Sequence, residues 1–451
     1  MTLDDLATAA PLRGNRGVIM SRLGSIAHLM TGSFAVAAVM ALSTVVAARA
    51  LGPEAYGILA IVLTIGRICE RLIRFESWQP LIRFGTQRDI EENPEAMAQL
   101  FLLGLILDIC CALLAAAVML VGGFFVLPLV GLEQTDFYLL AIFAPAIALN
   151  ISGVPTAALR LANQFRALAY FQLFSAVLRL MMAGAAWALG APLEIFLAAW
   201  TIAQVFNTGV FAVLAARALK TLGVANPLQA GTKGLLLRFP GFMGFAWSTN
   251  ASSALRTLTH EMDTLLVGAF AGPAAAGFYH IAKRFAKVAQ QVAAHVQAVI
   301  YPDLSRMWAR DRFQDVRSVK AKVQFALGAI GLSIIMVVAF LGPKGVEWLF
   351  GSGFELVYPL LLSQLVAVLL IMIGAPARST LLAMNHPQLV LKIAVVATGA
   401  FFATALVLIP DVGAIGANYA HIAFAAITVV CLELAFRLSY RCGTMGEAGS
   451  A

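Results

Sequence analysis

Charged residues are scarce in this chain. Of its 451 residues, 61% are hydrophobic and only 12% are Asp, Glu, Lys or Arg. A soluble protein of this length would need much more charge to cover its surface. The composition therefore excludes a soluble globular protein. Repeated apolar stretches of about 20 residues indicate a helical membrane protein instead.

Further absences narrow the function. Three of the five cysteines (Cys69, Cys110 and Cys111) lie inside apolar runs, which argues against a disulfide framework or a metal site. No phosphate-binding GxxxxGKS/T motif occurs, so ATP hydrolysis is not expected. Lysines and carboxylates are not arranged around a nucleophile. We therefore expect no enzymatic activity, no cofactor and no metal.

The apolar runs predict an all-α polytopic fold of about twelve transmembrane helices. The first 25 residues lack the apolar core and cleavage site of a signal peptide, and residues 1–25 are predicted to form a cytoplasmic tail. Two six-helix bundles follow, over residues 26–225 and 226–451. The predicted spans lie near residues 26–48, 55–75, 98–126, 137–158, 167–189, 194–216, 241–268, 274–298, 322–342, 356–376, 388–409 and 414–436.

The distribution of Lys and Arg predicts that both termini lie in the cytoplasm. The tails and loops on that side carry many basic residues, including Arg88 and Arg312, whereas the opposite loops carry only Arg49 and Lys344. The net charge of +8 then reflects orientation and headgroup contact rather than nucleic-acid binding. We predict a multi-pass protein of the cytoplasmic (inner) membrane.

The outer loops are short. The longest, near residues 127–136, has about ten residues, which is too few for an external catalytic domain. This disfavours a membrane polymerase that acts through a large loop.

The two halves of the chain resemble each other. ARALGPEAYGILAI (48–61) aligns with GAFAGPAAAGFYHI (268–281), so that two Gly-Pro pairs coincide at an offset of 220. Asn163 and Asn385, each about ten residues after a Gly-x-Pro, match at an offset of 222. With an even number of spans, the halves share one orientation. This predicts a pseudo-two-fold axis along the membrane normal, as in parallel-repeat transporters.

Residues 261–292 contain the main candidate site. They predict a helix end, a tight Gly-Pro turn and a second helix, with flanks too apolar for a soluble surface. Glu261 and Asp263 precede the turn, and basic residues follow it. Charge at membrane depth is costly and usually functional. Because residues equidistant from the turn lie at similar depth, these charges are expected to approach one another.

Two sets of candidates follow. The candidate substrate-binding cations at membrane depth are Arg67, Arg179, Arg256, Lys283, Arg284 and Lys287. The candidates for ion pairing, or for coupling to a proton or cation, are Asp108, His260, Glu261, Asp263 and His280.

Alternatives remain open for these residues. The cations either line a cavity that attracts a pyrophosphate, or Glu261 or Asp263 neutralises Lys283 and fixes the two helices together. Asp108 and Arg179 either pair with each other or face the cavity separately. His421 is expected to be a packing residue.

Several motifs are similar to those of the polysaccharide flippase and exporter family of the multidrug/oligosaccharidyl-lipid/polysaccharide exporter superfamily. The resemblance covers residues 30–437, and its motifs are ARALGPEAYG, QPLIRFG (79–85), MDTLLVGAFAGPAAAGFYHIAKR (262–284), YPDLSRM (301–307) and GAIGAN (413–418). It implies a cationic cavity between two six-helix bundles. It also implies alternating-access transport of polyprenyl-pyrophosphate-linked O-antigen, capsule or exopolysaccharide units. The implied partners are this lipid-linked oligosaccharide, membrane lipids, and polymerase and glycosyltransferases of the same pathway.

A multidrug or small-cation antiporter with the same architecture is the alternative. An anionic pyrophosphate needs cationic cavity walls, whereas cationic drugs favour acidic and aromatic walls. The candidate bases at membrane depth outnumber the candidate acids, which favours the flippase.

Overall fold

The computed structural model describes residues 15–448 except residue 233, and it describes side chains over residues 32–440 except residues 233 and 251–260. All regular structure in these ranges is helical. Short 3-10 turns lie at Pro128–Val130, Gln134–Asp136 and Pro227–Gln229. The α-helices are α1 (Asn15–Ile73), α2 (Trp78–Gly85), α3 (Arg88–Glu91), α4 (Pro94–Val126), α5 (Phe137–Ala148), α6 (Gly153–Leu161), α7 (Phe165–Ala188), α8 (Leu193–Thr221), α9 (Leu235–Arg238), α10 (Phe242–Trp308), α11 (Phe313–Phe350), α12 (Val357–Ala383), α13 (Pro387–Val412) and α14 (Ala414–Ala448).

The helices supply twelve membrane spans in two halves, as the sequence predicts. In the part of the chain that the structure describes, 10 helical stretches are long and apolar enough to cross a membrane. Two of these stretches, Gly32–Gly85 and Glu261–Trp308, contain an internal turn and therefore contribute two spans each. The first helix begins at Asn15, inside the segment that was predicted to be a tail.

A sharp Gly-Pro turn divides both α1 and α10. Gly52 has φ 76° and ψ 175°, and Gly272 has φ 85° and ψ 171°. Glycine adopts this positive φ without the steric cost that a side chain would add, and proline is well suited to the first turn of the helix that follows. We call the segments before and after the turns α1a (15–51), α1b (53–73), α10a (242–271) and α10b (273–308).

The chain reverses direction at the turn in α10. Lys283 Nζ lies 2.6 Å from Asp263 Oδ1, although the two residues are 20 positions apart. In a straight helix this separation would be about 30 Å. The two arms of α10 are therefore antiparallel neighbours. This agrees with the prediction that residues at equal distances from the turn lie at similar depth.

Backbone conformation supports the second repeat match and also reveals an asymmetry. Asn163 and Asn385 both adopt the left-handed conformation, with φ 56° and φ 61°, immediately after matched helices. In the first half, however, the span that precedes Asn163 is broken into α5 and α6. The corresponding helix of the second half, α12, is continuous.

The two halves are in close contact beside the Gly-Pro turns. Gly57 of α1b packs against Gly277 of α10b, its repeat equivalent. A methyl group on Gly57 would lie 1.9 Å from the carbonyl oxygen of Pro273, and one on Gly277 would lie 2.9 Å from the Cα of Gly57. Only residues without a side chain permit this approach. The space between the halves is therefore closed on the side of the Gly-Pro turns, which we call the turn side.

Candidate functional site

A buried network joins the two arms of α10 to α14. The carboxylate of Asp263 is fully buried and contacts Lys283 Nζ at 2.6 Å. Its second oxygen accepts a hydrogen bond from Tyr279 at 2.7 Å and contacts Nε2 of His421 at 2.8 Å. A buried carboxylate without such partners would be strongly disfavoured. We call this group of four residues the hairpin network: Asp263, Tyr279, Lys283 and His421. Its contacts compensate the buried negative charge of Asp263.

A second set of contacts links α1b of the first half to α10 of the second half. Arg67 Nε lies 3.3 Å from Glu261 Oε2. Arg67 Nη2 lies 3.4 Å from His280 Nε2, while His280 Nδ1 lies 2.9 Å from the hydroxyl of Tyr56. Arginine has no acceptor, so Nε2 of His280 accepts from it and Nδ1 carries the proton that faces Tyr56. Polar groups on membrane-spanning helices thus bridge the two halves.

Three further cations lie beside these contacts: Arg179 on α7, and Arg284 and Lys287 on α10b. Among the described side chains, no carboxylate lies within ion-pair distance of any of the three. Arg179 donates to Gln204 and lies within electrostatic range of Arg67 and Arg284. Lys287 is solvent-exposed, and Arg284 is half-buried. Arg284 follows the turn by about 17 Å along α10b, which is the middle of a bilayer core about 30 Å thick.

Asp108 lies apart from this group, within the first half. It is buried, with 1% exposure. It accepts a hydrogen bond from the Ser77 hydroxyl and one from the backbone N–H of Val154 at 2.9 Å, so it caps the N-terminus of α6 at the helix break. Asp108 and Arg179 are not paired. Arg74, which lies within electrostatic range of Asp108, is bound to Glu70 and Ser152.

The structure brings together most of the predicted site residues. Arg67, Arg284 and Lys287 lie within electrostatic range of Glu261. Arg179 lies within range of Arg67 and Arg284, and Lys283 within range of Lys287. We call these six residues the cation cluster. His280 and Asp263 lie against it. Arg256 and His260 lie outside the residues whose side chains are described.

Sequence reasoning missed three polar partners: Tyr56, Tyr279 and His421. Tyr279 precedes Lys283 by one helical turn, and this spacing was the available signal. No local pattern placed Tyr56 beside His280 or His421 beside Asp263, because both contacts join helices that are distant in the sequence.

The fold is similar to those of two solved membrane transporters. It aligns with the lipid II flippase MurJ in an inward closed conformation, with a TM-score of 0.68 and 12% sequence identity over 92% of this chain and 90% of that chain. It also aligns with an inward-facing multidrug resistance MATE family transporter of the MOP superfamily. The TM-score is 0.66 and the identity 13%, over 92% of this chain and 96% of that chain. At these identities the similarity establishes the fold.

Sequence comparison establishes the family. The family model described as "Polysaccharide biosynthesis protein" matches residues 46–359. The inner membrane protein YghQ of Escherichia coli (strain K12) is 27% identical over 319 residues, which cover 70% of this chain and 88% of that protein. The chain belongs to the polysaccharide biosynthesis protein family. It is a multi-pass membrane protein with the fold of the two solved structures above.

Proposed function

We propose that the protein moves a polyprenyl-pyrophosphate-linked oligosaccharide across the cytoplasmic membrane by alternating access between its two halves. The substrate would enter from the cytoplasmic leaflet and leave toward the outer leaflet. Membership of the polysaccharide biosynthesis family supports this substrate class. A structural neighbour that is a lipid II flippase supports a lipid substrate.

One observation carries the proposal: among the described side chains, the cation cluster contains more positive charge than its carboxylate Glu261 and the adjacent Asp263 compensate. Asp263 neutralises Lys283, and Glu261 neutralises Arg67. Arg179, Arg284 and Lys287 remain, and they come from both halves of the molecule. Cations held in the membrane without a counter-charge are costly, and a bound phosphate would offset that cost.

The proposal divides the predicted cations into two groups. Lys283 acts mainly within the hairpin network, because its ammonium lies 2.6 Å from a fully buried carboxylate. Arg179, Arg284 and Lys287 are the substrate-binding group. The guanidinium groups suit bidentate contact with phosphate oxygens, whereas the lysine contributes a point charge.

Closure at Gly57 and Gly277 supports the alternating-access part of the proposal. With both termini in the cytoplasm, as we propose, the turn side is the outer side. The structure then corresponds to the state in which the outer exit is closed. The contacts of Arg67 and His280 between the halves would separate when the outer side opens.

The test is substrate binding and flipping by purified protein in proteoliposomes. Arg284→Gln and Lys287→Gln should each weaken binding of undecaprenyl pyrophosphate about tenfold or more, since a charge-assisted phosphate contact contributes roughly 1.5–3 kcal/mol. Arg312→Gln, at an exposed position in the loop before α11, is the matched control and should bind normally. Wild-type affinity in both cluster variants would contradict the proposal.

A counter-screen separates the alternative function. Proteoliposomes with wild-type protein should not accumulate ethidium against its gradient, because the three uncompensated cations repel a cationic drug. Robust ethidium transport that is insensitive to undecaprenyl pyrophosphate would instead identify a multidrug antiporter.

A further inference from the structure

An apolar groove of about 520 Å³ opens between the two halves, on the side where α1a faces the second half. Its wall on the first half is α1a, including Phe34, Ala38 and Leu42, and its other wall is formed by α10b, α11 and α12. Among the residues whose side chains are described, those that line the groove are all uncharged. The volume lies within the range of about 300–1,000 Å³ typical of ligand sites.

The groove and the cation cluster share one helix. Phe285, Val288 and Val292 of α10b face the groove at the spacing of a single helical face. Arg284 and Lys287 are their immediate neighbours in sequence and belong to the cluster. The apolar surface and the two cations therefore lie on adjoining faces of one helix.

We propose that this groove binds the prenyl chain of the transported lipid while its pyrophosphate contacts Arg284 and Lys287. This inference rests on the proposed function and extends it by placing the lipid portion of the substrate. A ligand that satisfies both surfaces must have an anionic head joined directly to an apolar chain. A cationic amphiphile fits the groove but is repelled by the cluster.

The depth of the groove distinguishes a transported lipid from the surrounding bilayer. Phe285 follows the Gly-Pro turn by about 18 Å along α10b, well inside a bilayer core about 30 Å thick. The phosphate of an ordinary bilayer phospholipid lies at the interface, far from Arg284. A prenyl pyrophosphate that has been drawn inward by the cation cluster can occupy both surfaces at once.

The experiment measures binding of three probes to the purified full-length protein: undecaprenyl pyrophosphate, inorganic pyrophosphate and undecaprenol. Ala38→Phe places a ring in the groove at an exposed position and should weaken binding of undecaprenyl pyrophosphate about tenfold. Binding of inorganic pyrophosphate should be unchanged. Ala294→Phe, at an exposed alanine of α10b that does not line the groove, is the control and should alter neither.

A second variant protects the test against misfolding. Val292→Trp fills the groove from its other wall and should reproduce the selective loss. Gel filtration and thermal unfolding verify that each variant is folded. An equal loss of undecaprenyl pyrophosphate and inorganic pyrophosphate, or no loss in either folded groove variant, would overturn the proposal.

The probes also separate this proposal from the function on which it rests. Wild-type protein that binds undecaprenol but neither pyrophosphate would remove the proposed function and leave the groove as a chain-binding site. Equal affinity for both pyrophosphates would keep the cation site and overturn the groove. Native mass spectrometry tests whether a bilayer phospholipid occupies the groove instead. A co-purifying phospholipid that Ala38→Phe removes, and that undecaprenyl pyrophosphate cannot displace, would assign the groove to the bilayer and overturn the proposal.

Discussion

The two buried aspartates at membrane depth have opposite surroundings. Asp263 is 0% exposed and contacts a lysine, a tyrosine and a histidine. Asp108 is 1% exposed, and the donors it contacts, Ser77 and the Val154 N–H, are neutral. Asp263 therefore belongs to a compensated charge network, whereas Asp108 secures a helix end. Both remain candidates for proton coupling, and their environments predict different responses to substitution.

Breaking the hairpin network at Lys283 should be costly to stability. Lys283→Met leaves the fully buried carboxylate of Asp263 without its cation, and we expect a loss of about 3–5 kcal/mol in the free energy of unfolding. Lys283→Met/Asp263→Asn removes both charges and should recover most of that loss. Thermal unfolding of the purified variants in detergent measures both effects.

The control for this cycle is Lys344→Met, an exposed lysine of α11, which should unfold like the wild type. A double variant no more stable than Lys283→Met alone would show that the pair does not form. Recovered stability without recovered flipping would show that the network also contributes to transport.

The residue pairs show how far sequence reasoning reaches. The approach of Lys283 to the acidic residues before the turn was predictable, because it follows from their distances to that turn along the sequence. The choice between Glu261 and Asp263 as the partner of Lys283 was not predictable, because it depends on which helix face turns inward. His421 reaches Asp263 only because α14 packs beside α10. That contact depends on the assembled fold.

At the scale of elements, the internal repeat was predictable from the matched Gly-Pro pairs and asparagines. Their backbone conformations agree between the halves. The break between α5 and α6 was not predicted, because residues 137–158 were assigned to one span despite the polar residues Asn150 and Ser152 within it. The difference lies in a tertiary contact: Asp108 caps α6, and alanine or isoleucine stands at the repeat-related positions near 329–330.

The glycine contact beside the turns should control closure of the outer side. Gly277→Ala places a methyl group 2.9 Å from Gly57 Cα and 3.2 Å from the carbonyl oxygen of Pro53. Since backbone atoms cannot move aside as a flexible side chain can, the halves should separate on the turn side. Spin labels at exposed Glu133 and Asp411, one in each half, should report a longer distance by pulsed electron paramagnetic resonance.

Gly122→Ala on α4 is the matched control, because nothing lies within 4 Å of the added methyl group. This variant should give the wild-type distance distribution. An unchanged distribution in Gly277→Ala would mean that the glycine contact does not limit opening. We also expect Gly277→Ala to transport less than Gly122→Ala. Both variants retain the cation cluster, but only Gly277→Ala disturbs the closed state.

On the scale of the whole molecule, charged residues lie at three levels along the helix bundles. Basic residues crowd one end of the bundles, the opposite end has few, and the cation cluster lies between them. The turn side contains the two Gly-Pro turns and the short connections near Glu133 and Asp411. Twelve spans alternate in direction between the two ends, so the positions of Arg88 and Arg312 are fixed at the end away from the turns. The direction of transport therefore depends on which end faces the cytoplasm.

We expect the end with Arg88 and Arg312 to face the cytoplasm, because positively charged loops are retained there. The test uses a background in which Cys69, Cys110, Cys111, Cys431 and Cys442 are replaced by serine. Single cysteines at exposed Glu133 and Asp411 should react with an impermeant maleimide in intact cells. Cysteines at exposed Arg88 and Arg312 should react only after permeabilisation. The reverse pattern would place the closed turn side in the cytoplasm. The cation cluster would then be loaded from the outer leaflet, and the proposed export of a substrate made in the cytoplasm would be wrong.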